Sequence, residues 1–287
     1  MADKYTAVWV SHTSMNDFLQ CPRAYYLKHI YRDKKTNRKI KIVSPPLALG
    51  QAVHEVIEAL SMLPVEDRFR EVLMEKFDRA WKKVSGKNGG FSTKEAEFEY
   101  KKKGEEMIVR VMNNPGPLKN KAVKIKNDLP HYWLSEEDNI ILCGKIDWLE
   151  YLTDSDSVHI IDFKTGKHDE NPESLQLPIY YLLAKNCQNR SIAKASYWYL
   201  EREDGLKNAA LPDESKTLEK VLELAKKIKL SRQLGVFKCE HEGCYACEGY
   251  EAILKGDGEY VGIDSYNTDV YILNDSDAPD ENSSEIL

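Results

Sequence analysis

Ile160-Ile161-Asp162-Phe163-Lys164-Thr165-Gly166 is the stretch on which the reading of this chain turns. In an extended strand, residues i and i+2 face the same side. Asp162 and Lys164 therefore stand together, while Ile161 and Phe163 face the other way. Charge inside an apolar strand is costly unless it is paired or bound to a metal. Upstream, Gly144-Lys145-Ile146-Asp147 closes a second apolar run and brings another carboxylate to a neighbouring strand. Two hard oxygen donors beside a lysine suit a divalent cation and a held water. Taken alone, the Asp-x-Lys spacing is equally compatible with an ion pair between two strands.

Further residues fall into order around this pair. Gly50-Gln51-Ala52-Val53-His54 lies upstream, on an apolar stripe of helical spacing from Leu47 to Leu63. Downstream, Gln176 and Tyr180 are four apart and share one helical face. A lone helical histidine usually reads as structural or surface, and Gln and Tyr as ordinary helix chemistry. The series His54, Asp147, Asp162-Phe163-Lys164, Gln176, Tyr180 resembles the RecB-like branch of the PD-(D/E)xK nucleases, over about residues 11–247.

That resemblance implies an α/β, restriction-endonuclease-like mixed sheet flanked by helices, with a helical insertion. Asp147, Asp162 and Lys164 would be catalytic. His54, Asp147, Asp162 and the backbone carbonyl of Phe163 would hold Mg²⁺ or Mn²⁺, and an imidazole ligand suits manganese better. Gln176 and Tyr180 would contact the nucleic acid. The implied function is a metal-dependent DNA exonuclease acting at ends or single strands, in recombination, repair or mobile-element processing. Two other readings are a CRISPR-adaptation nuclease that trims captured DNA with a partner integrase, and a non-catalytic module that binds DNA ends. DNA is the expected partner, with a helicase, integrase or other recombination protein beside it.

Six cysteines occur. Cys239, Cys244 and Cys247 cluster within nine residues, which in a cytosolic chain suggests a metal rather than disulfides. With Cys21 they provide four thiolates, enough for a [4Fe–4S] cluster or a zinc ion. The Cys21-Pro22-Arg23 turn resembles the N-terminal cysteine turn of iron–sulfur members of the RecB-like branch, including AddB-like and CRISPR-adaptation nucleases. The C-x4-C-x2-C spacing departs from their pattern, and His241 is a possible substitute ligand for zinc. Cys143 and Cys187 fall in a strand and a helix and read as packing residues.

At 287 residues, 42% hydrophobic and 31% charged, the chain has the composition of a globular protein. No run of apolar residues approaches a membrane span, and Met1 to Tyr5 is unlike a signal peptide. A cytoplasmic protein without membrane attachment is expected. The net charge of −6 is unevenly spread. Residues 257–287 hold nine Asp or Glu and no Lys or Arg, whereas Lys28 to Lys41 holds seven Lys or Arg against Asp33 alone. A local basic segment suits phosphate binding, although it also suits a solvated loop.

The expected organisation is a nuclease domain over 1–256 and an acidic tail over 257–287. Within the domain lie a helical insertion at about 65–115, a metal-bearing core at about 120–200 and the cysteine cluster at 239–247. Ser14 with Asp17 reads as a helix N-cap signal, and Pro22 opens a second helix. Helices are expected over 65–84, 93–113, 174–187 and 215–234, and strands over 123–126, 140–147, 158–163 and 195–200.

Overall fold

A computed structural model describes residues 3–273. The centre is a four-stranded mixed sheet, in the order β5 (Trp148–Leu152), β6 (Ser157–Lys164), β7 (Ser191–Tyr199), β8 (Lys207–Ala209). β6 runs antiparallel to β5 and parallel to β7, and β8 closes the far edge antiparallel to β7. Every residue of β6 is buried except Lys164, which is partly so. A strand covered on both faces has no reason to alternate polar and apolar residues, and Val158, Ile160, Ile161 and Phe163 accordingly bury apolar side chains on both of its faces.

The alternation of side chains fixes which layer each residue meets. Ile161 and Phe163 point with Trp148 and Trp198 into a core formed by α3 (Pro45–Ala59), α4 (Leu73–Lys83) and α5 (Lys94–Asn113). Ile160 points the opposite way, with Leu149 and Ala195, against α6 (Gln176–Cys187). Asp162 shares the face of Ile160 and so looks towards α6. This mixed α/β architecture, with helices on both faces of the sheet, is consistent with a restriction-endonuclease-like fold.

A second sheet places β1 (Val8–Val10) parallel to β4 (Ile140–Cys143), with β3 (His131–Ser135) antiparallel on the other side of β4. It packs against α6 and the long helix α7 (Glu214–Leu234). The third sheet joins β2 (Ile40–Ile42) to β10 (Asp269–Ile272) in parallel, and β10 to β9 (Glu259–Ile263) in antiparallel. No helix among the described residues is long and apolar enough to cross a membrane.

The structure corrects several expectations. The first helix, α1 (His12–Gln20), is capped by Ser11 in a reciprocal box with Ser14, so Ser14 is the box partner rather than the cap. Asp17 is buried and binds Lys28 and His29 instead. The helix opened by Pro22 is short, α2 (Pro22–Tyr25), and continues as a π turn over Tyr26–Ile30. Residues 123–126 are not a strand: the chain meets the edge of β5 only at the bridge of Ala122 to Glu150, with bonds from Val123 N–H to the Leu149 carbonyl and from Tyr151 N–H to the Lys121 carbonyl. The expected strand through Asp147 breaks after Cys143, and Asp147 lies in the gap before β5.

Part of the segment expected as an acidic tail forms strands. Residues 259–263 and 269–272 are strands, and Leu273 packs with Ile40 and Ile253. Asp269 is buried and accepts from Thr36 and Arg38, which ties the basic loop to this sheet. Only residues 274–287 of the expected acidic tail lie outside the described residues.

Candidate active site

Three elements converge on the end of β6. β6 supplies Asp162 and Lys164, the gap before β5 supplies Asp147, and α3 brings His54 around the strand end, its ring edge-on to Phe163. Asp162 is fully buried. Its Oδ1 accepts from Gln176 Nε2 at 2.7 Å. Its Oδ2 has no aligned hydrogen-bond donor, although Lys164 Nζ lies 3.1 Å away. Asp147 Oδ2 accepts the Phe163 N–H at 3.0 Å and lies 3.6 Å from His54 Nδ1.

A strand residue directs its N–H and C=O to the same edge. Because the Phe163 N–H meets Asp147, the Phe163 carbonyl faces that same edge, where β5 has not yet begun. The carbonyl therefore opens into the carboxylate site.

Two carboxylates in one buried place oppose each other's ionisation. Burial, then the charge of Asp147, raises the Asp162 pKa, and Lys164 only partly offsets this. Burial also raises Asp147, with Glu58 adding to the effect and His54 opposing it. Burial alone would lower the pKa of His54, but Glu58, Asp147 and Asp162 together raise it. A cation among these donors would relieve all three conflicts. The unaligned Asp162 Oδ2 and the freed Phe163 carbonyl offer it oxygen ligands. His54, Glu58 and Asp147 offer ligand atoms within 4.8 Å of one another.

Gln176 and Tyr180 lie inside this net. Gln176 Oε1 accepts from Lys164 Nζ, and Gln176 Nε2 donates to Asp162 and, at 3.3 Å, to Tyr180. The Tyr180 hydroxyl lies 3.5 Å from Asp147 Oδ1. Both were expected to contact nucleic acid beside the active site; in the structure their polar ends meet the carboxylates and the lysine of that site.

Three participants were missed in the sequence. Glu58 accepts from His54 Nδ1 at 3.0 Å and pairs with Lys145. Its signal was present, since it stands four residues after His54 on the same helical face. Glu170 pairs with Lys164 at 2.6 Å, but it sits in an irregular loop where no periodicity marks it. His12 lies in the field of Lys164 and Glu170, and burial lowers its pKa.

A family model for the PD-(D/E)XK nuclease superfamily matches residues 9–250. The chain belongs to the PD-(D/E)XK nuclease superfamily. The match begins in β1 and ends in α8 (Tyr245–Lys255), so it spans the carboxylate site and all four clustered cysteines. No curated protein matches the sequence significantly. As a member the chain is a nuclease, and the chemistry of its superfamily is metal-dependent cleavage of nucleic-acid phosphodiester bonds.

The nuclease carries a second group of donors at the C-terminal end of α1. Cys21 sits between α1 and α2, Cys239 follows α7, and Cys244 and Cys247 open α8. Their sulfurs all lie within 4.8 Å of one another. Backbone amides of His241 and Gly243 donate to the Cys239 sulfur and lower its pKa to about 7. Burial pushes Cys247 up to about 12. His241 is exposed and stands outside the group. Cys143 is buried in β4 away from it, consistent with packing alone.

Proposed function

We propose that this nuclease is a RecB-like deoxyribonuclease that hydrolyses phosphodiester bonds at DNA ends with Mg²⁺ or Mn²⁺. The observation that carries the reading is the buried Asp162 carboxylate, with one oxygen lacking an aligned donor, set between Asp147 and Lys164. Asp147, Asp162, His54 and the Phe163 carbonyl would hold the cation, with Glu58 fixing His54 through Nδ1. When bound, such an ion lowers the pKa of a water and offsets charge on the phosphate.

The chain's own groups do the rest. Lys164 is held by Asp162, Glu170 and Gln176, so its ammonium has one orientation. Although burial opposes its charge, Asp162 and Glu170 raise its pKa, and it stays protonated. It orients the attacking water and stabilises negative charge as the phosphorus–oxygen bond breaks. Gln176 and Tyr180 position these groups, which extends the strand-gripping role implied by resemblance. Action at ends follows from the likeness to RecB-like exonucleases, and a helicase or integrase would be the natural partner for that chemistry.

End-labelled single- and double-stranded DNA, linear and circular, should be digested with Mn²⁺ or Mg²⁺ and with chelator. Metal-dependent loss of label from linear DNA, with circles spared, is expected. Cutting of circles at the same rate would refute action at ends. No cleavage of any DNA with either ion would overturn the reading.

A further inference from the structure

We infer that the four cysteines hold one tetrahedral zinc ion and not the iron–sulfur cluster that the N-terminal cysteine turn suggests. The size of the sulfur cage carries this. Cys21, Cys239, Cys244 and Cys247 place all four sulfurs within 4.8 Å of one another, and Cys244 and Cys247 are 3.8 Å apart. Zinc–thiolate bonds of about 2.3 Å in tetrahedral geometry put sulfurs about 3.8 Å apart. In a [4Fe–4S] cluster each thiolate caps a different iron at alternate corners of a cube, which spreads the sulfurs to roughly 6–7 Å. The cage fits a single ion and is too small for the cluster.

The chain around the sulfurs agrees. Cys244 and Cys247 straddle the first turn of α8, and the Cys244 N–H donates to the Cys247 sulfur at 3.4 Å. After Cys239 the backbone doubles back through two left-handed residues, Glu242 (φ 54°) and Gly243 (φ 139°). A side chain is strained at the second of these, so glycine belongs there. This turn aims the amides of His241 and Gly243 at the Cys239 sulfur. Amide donors of this kind orient a thiolate for metal ligation. The C-x4-C-x2-C order, which departs from the iron–sulfur pattern, is then the expression of a different metal.

The zinc would staple α1 and α2 to α8. It lies outside the carboxylate site, so its failure leaves the cleavage reading intact. The full-length protein should be purified without oxygen and assayed for zinc, iron and labile sulfide. About one zinc per chain, no sulfide and no visible colour are expected. Replacement by Co²⁺ should give thiolate charge-transfer and tetrahedral ligand-field bands. C239H should keep the zinc, because a Cys₃His set also suits it, and C143A should keep it as well. Iron with labile sulfide, or a stably folded protein without metal, would overturn the assignment. D162A should retain zinc; a zinc-loaded parent that cuts no DNA would sink the nuclease proposal alone.

Discussion

At Asp162 stability and chemistry pull in opposite directions. The carboxyl is buried beside Asp147, and its folded pKa lies above the ordinary value. A carboxyl of this kind favours the folded state most at low pH, where both states hold the proton. As pH rises from about 4, the unfolded group ionises freely while the folded one resists. Stability is therefore lost progressively up to the folded pKa and stays lost above it. D162N removes this penalty. With chelator present, it should melt about 5 °C above the parent at pH 8, and the gap should close towards pH 4. Saturating divalent ion should narrow it by stabilising the parent alone. Equal melting at both pH values would remove the electrostatic account. D147A and D162A should both abolish cleavage. K164A is different: it should still bind metal and DNA, while turnover falls by about 10³. Parent-like cleavage by K164A in saturating Mn²⁺ would show that the lysine is misassigned.

At the scale of elements, close approach is what packing demands. α5 crosses α4 at Gly104, where an added Cβ would land on the Phe77 ring and press on Leu49. G104A should cost about 1–3 kcal/mol in denaturant unfolding, with little change in metal affinity of the distant carboxylates. An unchanged midpoint would mean that the helices separate easily. The same scale shows what could be read in advance. β6 was legible because a strand buried on both faces is mostly apolar, which made Asp162 and Lys164 conspicuous. Residues 123–126 misled because alternation reports a half-buried edge, which these residues have without a full ladder. Glu170 was illegible because loops carry no period. Ser14 was mistaken for a cap since Ser11 and Ser14 satisfy each other reciprocally, and either spacing fits a box. His54 and the Gln176–Tyr180 pair were found through a likeness between series; their positions alone do not single them out.

For the whole molecule, the C-terminal sheet and the charge distribution make separable predictions. β10 is the only strand paired with β2 among the described residues, and Leu273 covers Ile253 and Gly249. A chain ending at Gly256 should lose that cover and become less stable or insoluble. A chain ending at Leu273 keeps the sheet and removes five carboxylates, from Asp275 to Glu285. Its affinity for DNA should exceed that of the full chain at low salt, and the difference should vanish as salt screens the charge. If the two bind alike at low salt, those carboxylates do not oppose DNA.

The parallel pairing of β2 with β10 also bears on how the molecule is made. A ribosome delivers Ile40 long before Val270, and Cys21 long before Cys239. Until the last strands emerge, the early helices and β2 await partners that have not been synthesised. Contacts so distant along the chain fold late and slowly. The cutting site is nearer completion, since α3, β5, β6 and α6 are all in hand by Cys187. A nascent chain paused at that point would hold its carboxylates and lysine without the clasp that fixes its beginning to its end. Birth order thus leaves the nuclease dependent on Cys239, Cys244, Cys247 and β10 for a closed body, so chains stopped before them should be cleared by proteolysis and should not persist as fragments.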